Sequence, residues 1–181
     1  MRIRPAQPDD VPALETLIAA SVRELSRGFY TEKQAESGLR YVFGVDSQLI
    51  EDRTYFVIAD DEGFAAAGGW SRRRQLYGGD QMKGSDDPLL DPATEAARIR
   101  AFFVAPRAAR RGLARRLYEE CVAAAARAGF TRLELVATMP GVPLYRALGF
   151  AMGEQYSVAL PDGVDLPVAR MHRSIARPEV P

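Results

Sequence analysis

Apolar residues recur at helical spacing early in the chain. Val11, Leu14, Leu17, Ile18, Val22 and Leu25 predict a helix reaching about residue 27. Asp9 or Asp10 can cap its free amides, and Pro12 is tolerated in a first turn. "RIRPAQPDDV" reads as a short strand followed by the start of this helix. Thr31 with Gln34 three positions later has the pattern of a capping box and predicts a short second helix. "TYFVIAD" and "GFAAAGGWSRR" read as two strands joined by "DDEG", a hairpin turn. Gly68 and Gly69 inside the second strand point to a bulge or to a ligand passing close to the backbone.

Between Arg72 and Ala97 the periodicity fails. "YGGDQMKGSDDPLLDPATEA" is rich in Gly, Asp and Pro, and is long for a connection inside a domain. It reads as a surface excursion, or as a loop that covers a substrate or contacts a subunit. "ARIRAFFVAP", residues 97–106, is a strand whose apolar end, Phe102 to Val104, predicts burial on both faces. A helix follows from near Gly112 to about Ala128. Leu113, Leu117, Cys121, Ala124, Ala125 and Ala128 form its apolar stripe, and Gly129 stands where a C-terminal glycine cap falls. "TRLELVA" is a strand, "GVPLYRALGF" a short helix, and "EQYSVAL" with "LPVARMHRSI" a hairpin around "PDGVD". The order β-α-α-β-β-β-α-β-α-β-β implies a mixed sheet covered by helices, an α/β (α+β layered) domain. It is expected to span residues 1–176, with a tail over 177–181.

Composition narrows the function. Lysine plus arginine and aspartate plus glutamate both count 24, and a balanced charge argues against a protein built to hold long nucleic acid. One cysteine excludes an intrachain disulfide, and one histidine leaves little from which to build a metal site, so no metal is expected. The N-terminal "MRIRPAQPDD" lacks the apolar core of a secretory signal, and no run of about 18 apolar residues occurs. The expectation is a cytoplasmic protein with no membrane partner.

The stretch "APRAARRGLARRLYEE", residues 105–120, carries the chemistry. Helix N-termini expose unpaired amides and the positive end of the dipole, so phosphates bind there, and a glycine lets the chain approach a diphosphate. A Walker loop requires a Gly-Lys-Ser/Thr ending, and a dinucleotide fingerprint requires three spaced glycines; neither is present. On the residues alone, a pyrophosphate-bearing coenzyme and a plain solvated arginine face both remain open.

"FFVAPRAARRGLARRLYEECVAAAARAGFTRLELVAT" followed by "PLYRALGF" resembles the coenzyme-A-binding core of the GCN5-related N-acetyltransferase (GNAT) family. Gly112 and Ala114 match the small positions of the family's Arg/Gln-x-x-Gly-x-Gly/Ala signature, and Tyr145, Gly149 and Phe150 match its later Tyr-x-x-x-Gly-Phe. Ala109 departs from the pattern where an Arg or Gln is usual, and "TMPGVP" departs where many members carry an Asn. The resemblance implies a mostly antiparallel sheet of six to seven strands, splayed between the fourth and fifth and flanked by about four helices. It also implies acetyl-CoA as cosubstrate. The Ala109, Arg110, Arg111, Gly112, Leu113 and Ala114 loop is then the pyrophosphate site. Phe102, Phe103, Val104 and Ala105 line the pantetheine arm, with the Val104 amide as donor to the thioester carbonyl. Tyr145 stands beside the coenzyme sulfur as general acid.

Direct transfer in a ternary complex is the expected route, with Cys121 a buried hydrophobe rather than a nucleophile. Glu95, acting through water, is the expected base, with Asp80 and Glu134 as rivals and His172 a structural or substrate-contacting residue. Phe29, Tyr30, Tyr41, Phe43 and Trp70 are candidates for an acceptor pocket or for the core. A small-molecule amine is the expected acceptor; a peptide or protein amine, or an idle acyl-CoA-binding module, are the alternatives. The resemblance also allows a homodimer.

Overall fold

A computed structural model describes residues 1–84 and 86–175; the expected tail lies outside them. Strand β1 (Arg2–Pro5) leads into helix α1 (Val11–Leu25), α2 (Glu32–Tyr41) and a five-residue α3 (Ser47–Glu51). Strands β2 (Tyr55–Asp60), β3 (Gly63–Ser71) and β4 (Ala97–Val104) follow, then α4 (Leu113–Arg127), β5 (Arg132–Thr138) and α5 (Val142–Ala147). β6 (Ala151–Ala159) and β7 (Asp165–Ser174) close the series. The seven strands form one sheet in the order β1-β2-β3-β4-β5-β7-β6. Every neighbouring pair is antiparallel except β4–β5.

Local chemistry accounts for most boundaries. The Thr31 hydroxyl accepts from the Gln34 amide at 3.2 Å while the Gln34 side chain accepts from the Thr31 amide at 3.0 Å, so the predicted capping box starts α2. Helix α3 has no apolar period; Asp46 caps it by accepting from the Gln48 amide. Gly129, at φ 91°, follows the end of α4, where the left-handed conformation suits glycine. Helices α1 and α4 both pack on β3 and β4. The fully buried Leu14, Ile18, Val57, Ala66, Leu117 and Leu133 belong to the main core.

Parallel pairing of β4 with β5 is confined to Ala97↔Leu133 and Arg98↔Glu134; beyond these the strands part. A bulge sits just past the parting. Gly69 opposes Arg100 and Ala67 opposes Phe103, so Ala101 and Phe102 together face Gly68 alone. Ala101 takes a left-handed φ of 53°, and its carbonyl accepts from the Tyr55 hydroxyl at 2.8 Å. A Cβ on Gly68 would meet the Phe102 ring at 2.8 Å. The close approach foreseen at that glycine is made by an aromatic ring of the protein.

One expectation is corrected. Phe102, Phe103 and Val104 are only partly buried, whereas the polar-containing start of the strand, Ala97 to Arg100, is buried. The apolar end faces the gap left by β5, so its hydrophobicity lines a cleft.

Candidate active site

The parting of β4 and β5 opens a cleft of about 240 Å³. Its floor is β4 from Ile99 to Val104 and β5 from Val136 to Thr138. Ser21, Val22, Leu25 and Ser26 come from α1 and its end, Phe43 and Gly44 from beyond α2, and Leu76 to Gly78 from the long connection. Leu144 and Tyr145 of α5 and Leu166 and Val168 of β7 complete it.

Backbone geometry aims one amide into this gap. The Ala105 amide donates to the Ala65 carbonyl at 2.8 Å, holding that residue to β3. Strand alternation turns the Val104 N–H the other way, toward the parted β5. There it donates to the Ser21 hydroxyl oxygen at 3.2 Å.

Tyr145 is 7% exposed and held by edge-on aromatic contacts with Phe102 and Phe150. Phe150 in turn meets Tyr118 of α4, so an aromatic row fixes α5 against the neighbouring helix. Burial pushes the Tyr145 phenol well above its ordinary value, with neighbouring Cys121 acting in the same direction. The phenol is therefore protonated at neutral pH, the state a proton donor requires.

The loop expected to hold pyrophosphate lies beyond the end of β4. Pro106–Ala108 makes a turn of 3-10 helix, Arg110 adopts φ 62°, and Gly112 precedes α4 at φ 78°. No side chain caps the first amides of α4, and space is open around the Gly112 α-carbon. Uncapped amides at a helix N-terminus beside a left-handed turn suit an anionic phosphate. Ala109, Arg110, Arg111, Gly112, Leu113 and Ala114 are thus contiguous but are not lining residues of the cleft. The neighbouring arginines divide: Arg107 is paired with Asp60, while Arg110, Arg111, Arg115 and Arg116 are solvent-exposed.

Other expected residues lie elsewhere. Glu95 does not line the cleft: it sits before β4, at the end opposite Val104, accepting from the Asp91 amide at 2.8 Å and pairing with Arg74. Asp80 binds Lys83 and Ser47. Glu134 lies between Arg98 and Arg170. His172 is opposite Glu134 on β7. The Cys121 thiol is fully buried and burial pushes its pKa up, leaving it a packing residue. Of the five aromatics considered for an acceptor pocket, Tyr30 and Phe43 line the cleft. Trp70 packs edge-on against Phe130 in the core, Phe29 is exposed, and Tyr41 packs on a smaller apolar cluster around Leu166. Among the described residues no grouping of His, Cys, Asp and Glu suits a metal ion, and no helix is long and apolar enough to cross a membrane.

Two features escaped the sequence. Ser21 stands 83 residues before the amide it accepts from. Arg100, with a side chain 2% exposed, pairs with Asp46 at 2.8 Å and donates to the carbonyls of Gly78 and Gln75 at 2.8 and 3.0 Å. Lys83 reaches the other Asp46 oxygen at 2.9 Å. This buried ion cluster ties the long connection to β4 and so holds Leu76 to Gly78 as a wall of the cleft.

The sequence pattern of the acetyltransferase (GNAT) family matches residues 19–150, most of the chain, and the protein belongs to that family. It is an acyltransferase of the acetyl-CoA-dependent kind that the family defines. No protein of curated function matches the chain. Among solved structures, a GCN5-related N-acetyltransferase from Rhodopseudomonas palustris is similar at TM-score 0.70 and 17% identity, covering 96% of this chain and 95% of that one. A ribosomal-protein-alanine N-acetyltransferase from Brucella melitensis is similar at TM-score 0.63 and 15% identity, over 97% and 100% of the two chains. A phosphinothricin acetyltransferase from Sinorhizobium meliloti, solved with acetyl-CoA, is similar at TM-score 0.61 and 21% identity, over 97% and 88%. At these identities the likeness is one of fold.

Proposed function

We propose that the protein passes the acetyl group of acetyl-CoA directly to a primary amine on a small acceptor whose remaining body is uncharged and largely apolar. The composition of the cleft walls carries this reading. Tyr30, Phe43, Tyr77, Leu166 and Val168 are among the residues that line it. Among the described residues the only charged lining side chain is Arg100, whose guanidinium is already bound by Asp46 and two carbonyls. A second charge on the acceptor would lose its hydration there without gaining a partner.

On this reading the amides from Arg110 to Ala114 hold the pyrophosphate, Phe102 to Ala105 lie along the pantetheine arm, and Tyr145 gives a proton to the departing thiolate. Acetyl-CoA supplies the activated acyl group. No carboxylate or imidazole lines the cleft among the described residues. The amine therefore reacts as the neutral base, having released its proton to solvent. The rate should climb with pH below the amine's own pKa. A peptide acceptor, as the Brucella relative's name implies for that protein, needs an open groove; the wall at Leu76 to Gly78 disfavours it.

Two measurements test the reading. Millimolar acetyl-CoA should raise the thermal midpoint, because a ligand bound only by the folded state stabilises it; an unmoved midpoint removes the coenzyme site. Thiol release should then rank amines of matched size, with an uncharged phenyl- or alkyl-ethylamine exceeding its amino-acid and diamine counterparts by about 100-fold in kcat/KM. Equal or reversed ranking, or turnover of peptides alone, overturns the acceptor assignment.

A further inference from the structure

We infer that the Ser21 hydroxyl is a catalytic hydrogen-bond donor to the thioester carbonyl, standing between that oxygen and the Val104 amide. The inference rests on the acetyl-transfer reading above and goes beyond it, because it changes which atom meets the developing negative charge.

Ser21 is on the face of α1 that packs on β4, is 7% exposed, and lines the cleft. Its oxygen already accepts from the Val104 N–H at 3.2 Å. A hydroxyl has one proton to donate as well as lone pairs to accept with. Helical serines and threonines commonly return that proton to the carbonyl four residues back. Thr16 does so toward Pro12 and Ser26 toward Val22 on the same helix and its end. Ser21 does not: among the described residues its proton has no acceptor. A buried hydroxyl that accepts from the backbone and keeps an unplaced proton beside a cleft is arranged to donate to whatever enters.

The acceptor for that proton is the acyl oxygen. As the amine nitrogen bonds to the carbonyl carbon, the π electrons move onto oxygen; when the C–S bond breaks they return, the thiolate takes a proton from Tyr145, the nitrogen gives up its remaining extra proton to solvent, and solvent returns one to restore the phenol. Ser21 transfers no proton in this sequence. It donates a hydrogen bond that strengthens as charge grows on oxygen, and the Val104 amide polarises the hydroxyl from behind.

The test uses Ser21→Ala and Ser21→Thr in the full chain, each checked for an unchanged thermal midpoint without coenzyme. The carbonyl stretch of acetyl-CoA labelled with carbon-13 at the thioester is read by infrared difference spectroscopy in the binary complex, with no amine present. The native protein should lower that frequency relative to solution, Ser21→Ala should return it part of the way, and Ser21→Thr should keep it low. Acetyl-CoA affinity should change less than twofold, while kcat falls about tenfold in Ser21→Ala, less than for a whole oxyanion donor because the Val104 amide is released to serve directly. Failure of acetyl-CoA to bind the native protein would remove the underlying reading. Binding with identical frequencies and turnover in native and Ser21→Ala proteins would leave Ser21 a plug for an idle amide and overturn the inference alone.

Discussion

Replacing Tyr145 by phenylalanine should lower kcat by about 100- to 1000-fold while leaving acetyl-CoA affinity within a factor of two. The expectation follows from how the ring is held. Phe102 and Phe150 grip its faces and edge, contacts that phenylalanine keeps, so the fold and the cleft should survive the change. What disappears is one buried O–H whose proton is retained at neutral pH because burial disfavours the phenolate. If that proton meets the thiolate as the C–S bond breaks, its loss falls on the transition state and leaves coenzyme binding alone. Single-turnover acetyl transfer with a saturating amine is the measurement. Unchanged turnover would make Tyr145 a packing residue and would require another donor.

The second large effect concerns stability. Asp46→Ala should destabilise the protein by about 3–5 kcal/mol, read from urea unfolding, because it strands the Arg100 guanidinium in a buried site. Burial already pushes the Arg100 pKa down, and the Asp46 carboxylate opposes that shift. Asp46 also caps α3 and binds Lys83, so one deletion loosens α3, the long connection and β4 together. Arg100→Met, which removes the charge and keeps an unbranched apolar stem, should cost much less, since it leaves no unpaired cation in the interior and Asp46 stays paired with Lys83. Equal losses from both variants would show that a stranded Arg100 cation adds nothing beyond the loss of the ion pair itself, and would overturn this account. In Arg100→Met the acceptor KM should rise, because Leu76 to Gly78 lose the carbonyl tether that fixes the wall.

Elements whose signals are local were legible from the chain. The capping box at Thr31 and Gln34, the turn between Asp60 and Gly63, and the glycine cap at Gly129 each depend on a few consecutive residues. The two family motifs fixed the place of β4, α4, β5 and α5. Features that depend on partners far along the chain stayed hidden. Helix α3 needs Asp46, whose own position depends on Arg100, 54 residues later. The Phe102–Val104 run predicts two buried faces because an apolar triplet looks the same beside a strand and beside a gap. Glu95 is near β4 in sequence, but the strand's length carries it to the end opposite Val104. Ser21 gave no signal at all, since a serine in an amphipathic helix is ordinary until β4 lies against it.

A sheet that separates in its middle has two extra borders, along β4 and β5, in addition to the outer ones at β1 and β6. Exposed strand borders invite other chains to add on, and that is a route to aggregation. The inner pair is shielded instead by α1, α5 and the Leu76–Gly78 segment, which wall the gap between them. Enclosure thus covers this border against other chains, and on the proposed function the coenzyme arm is what lies along it.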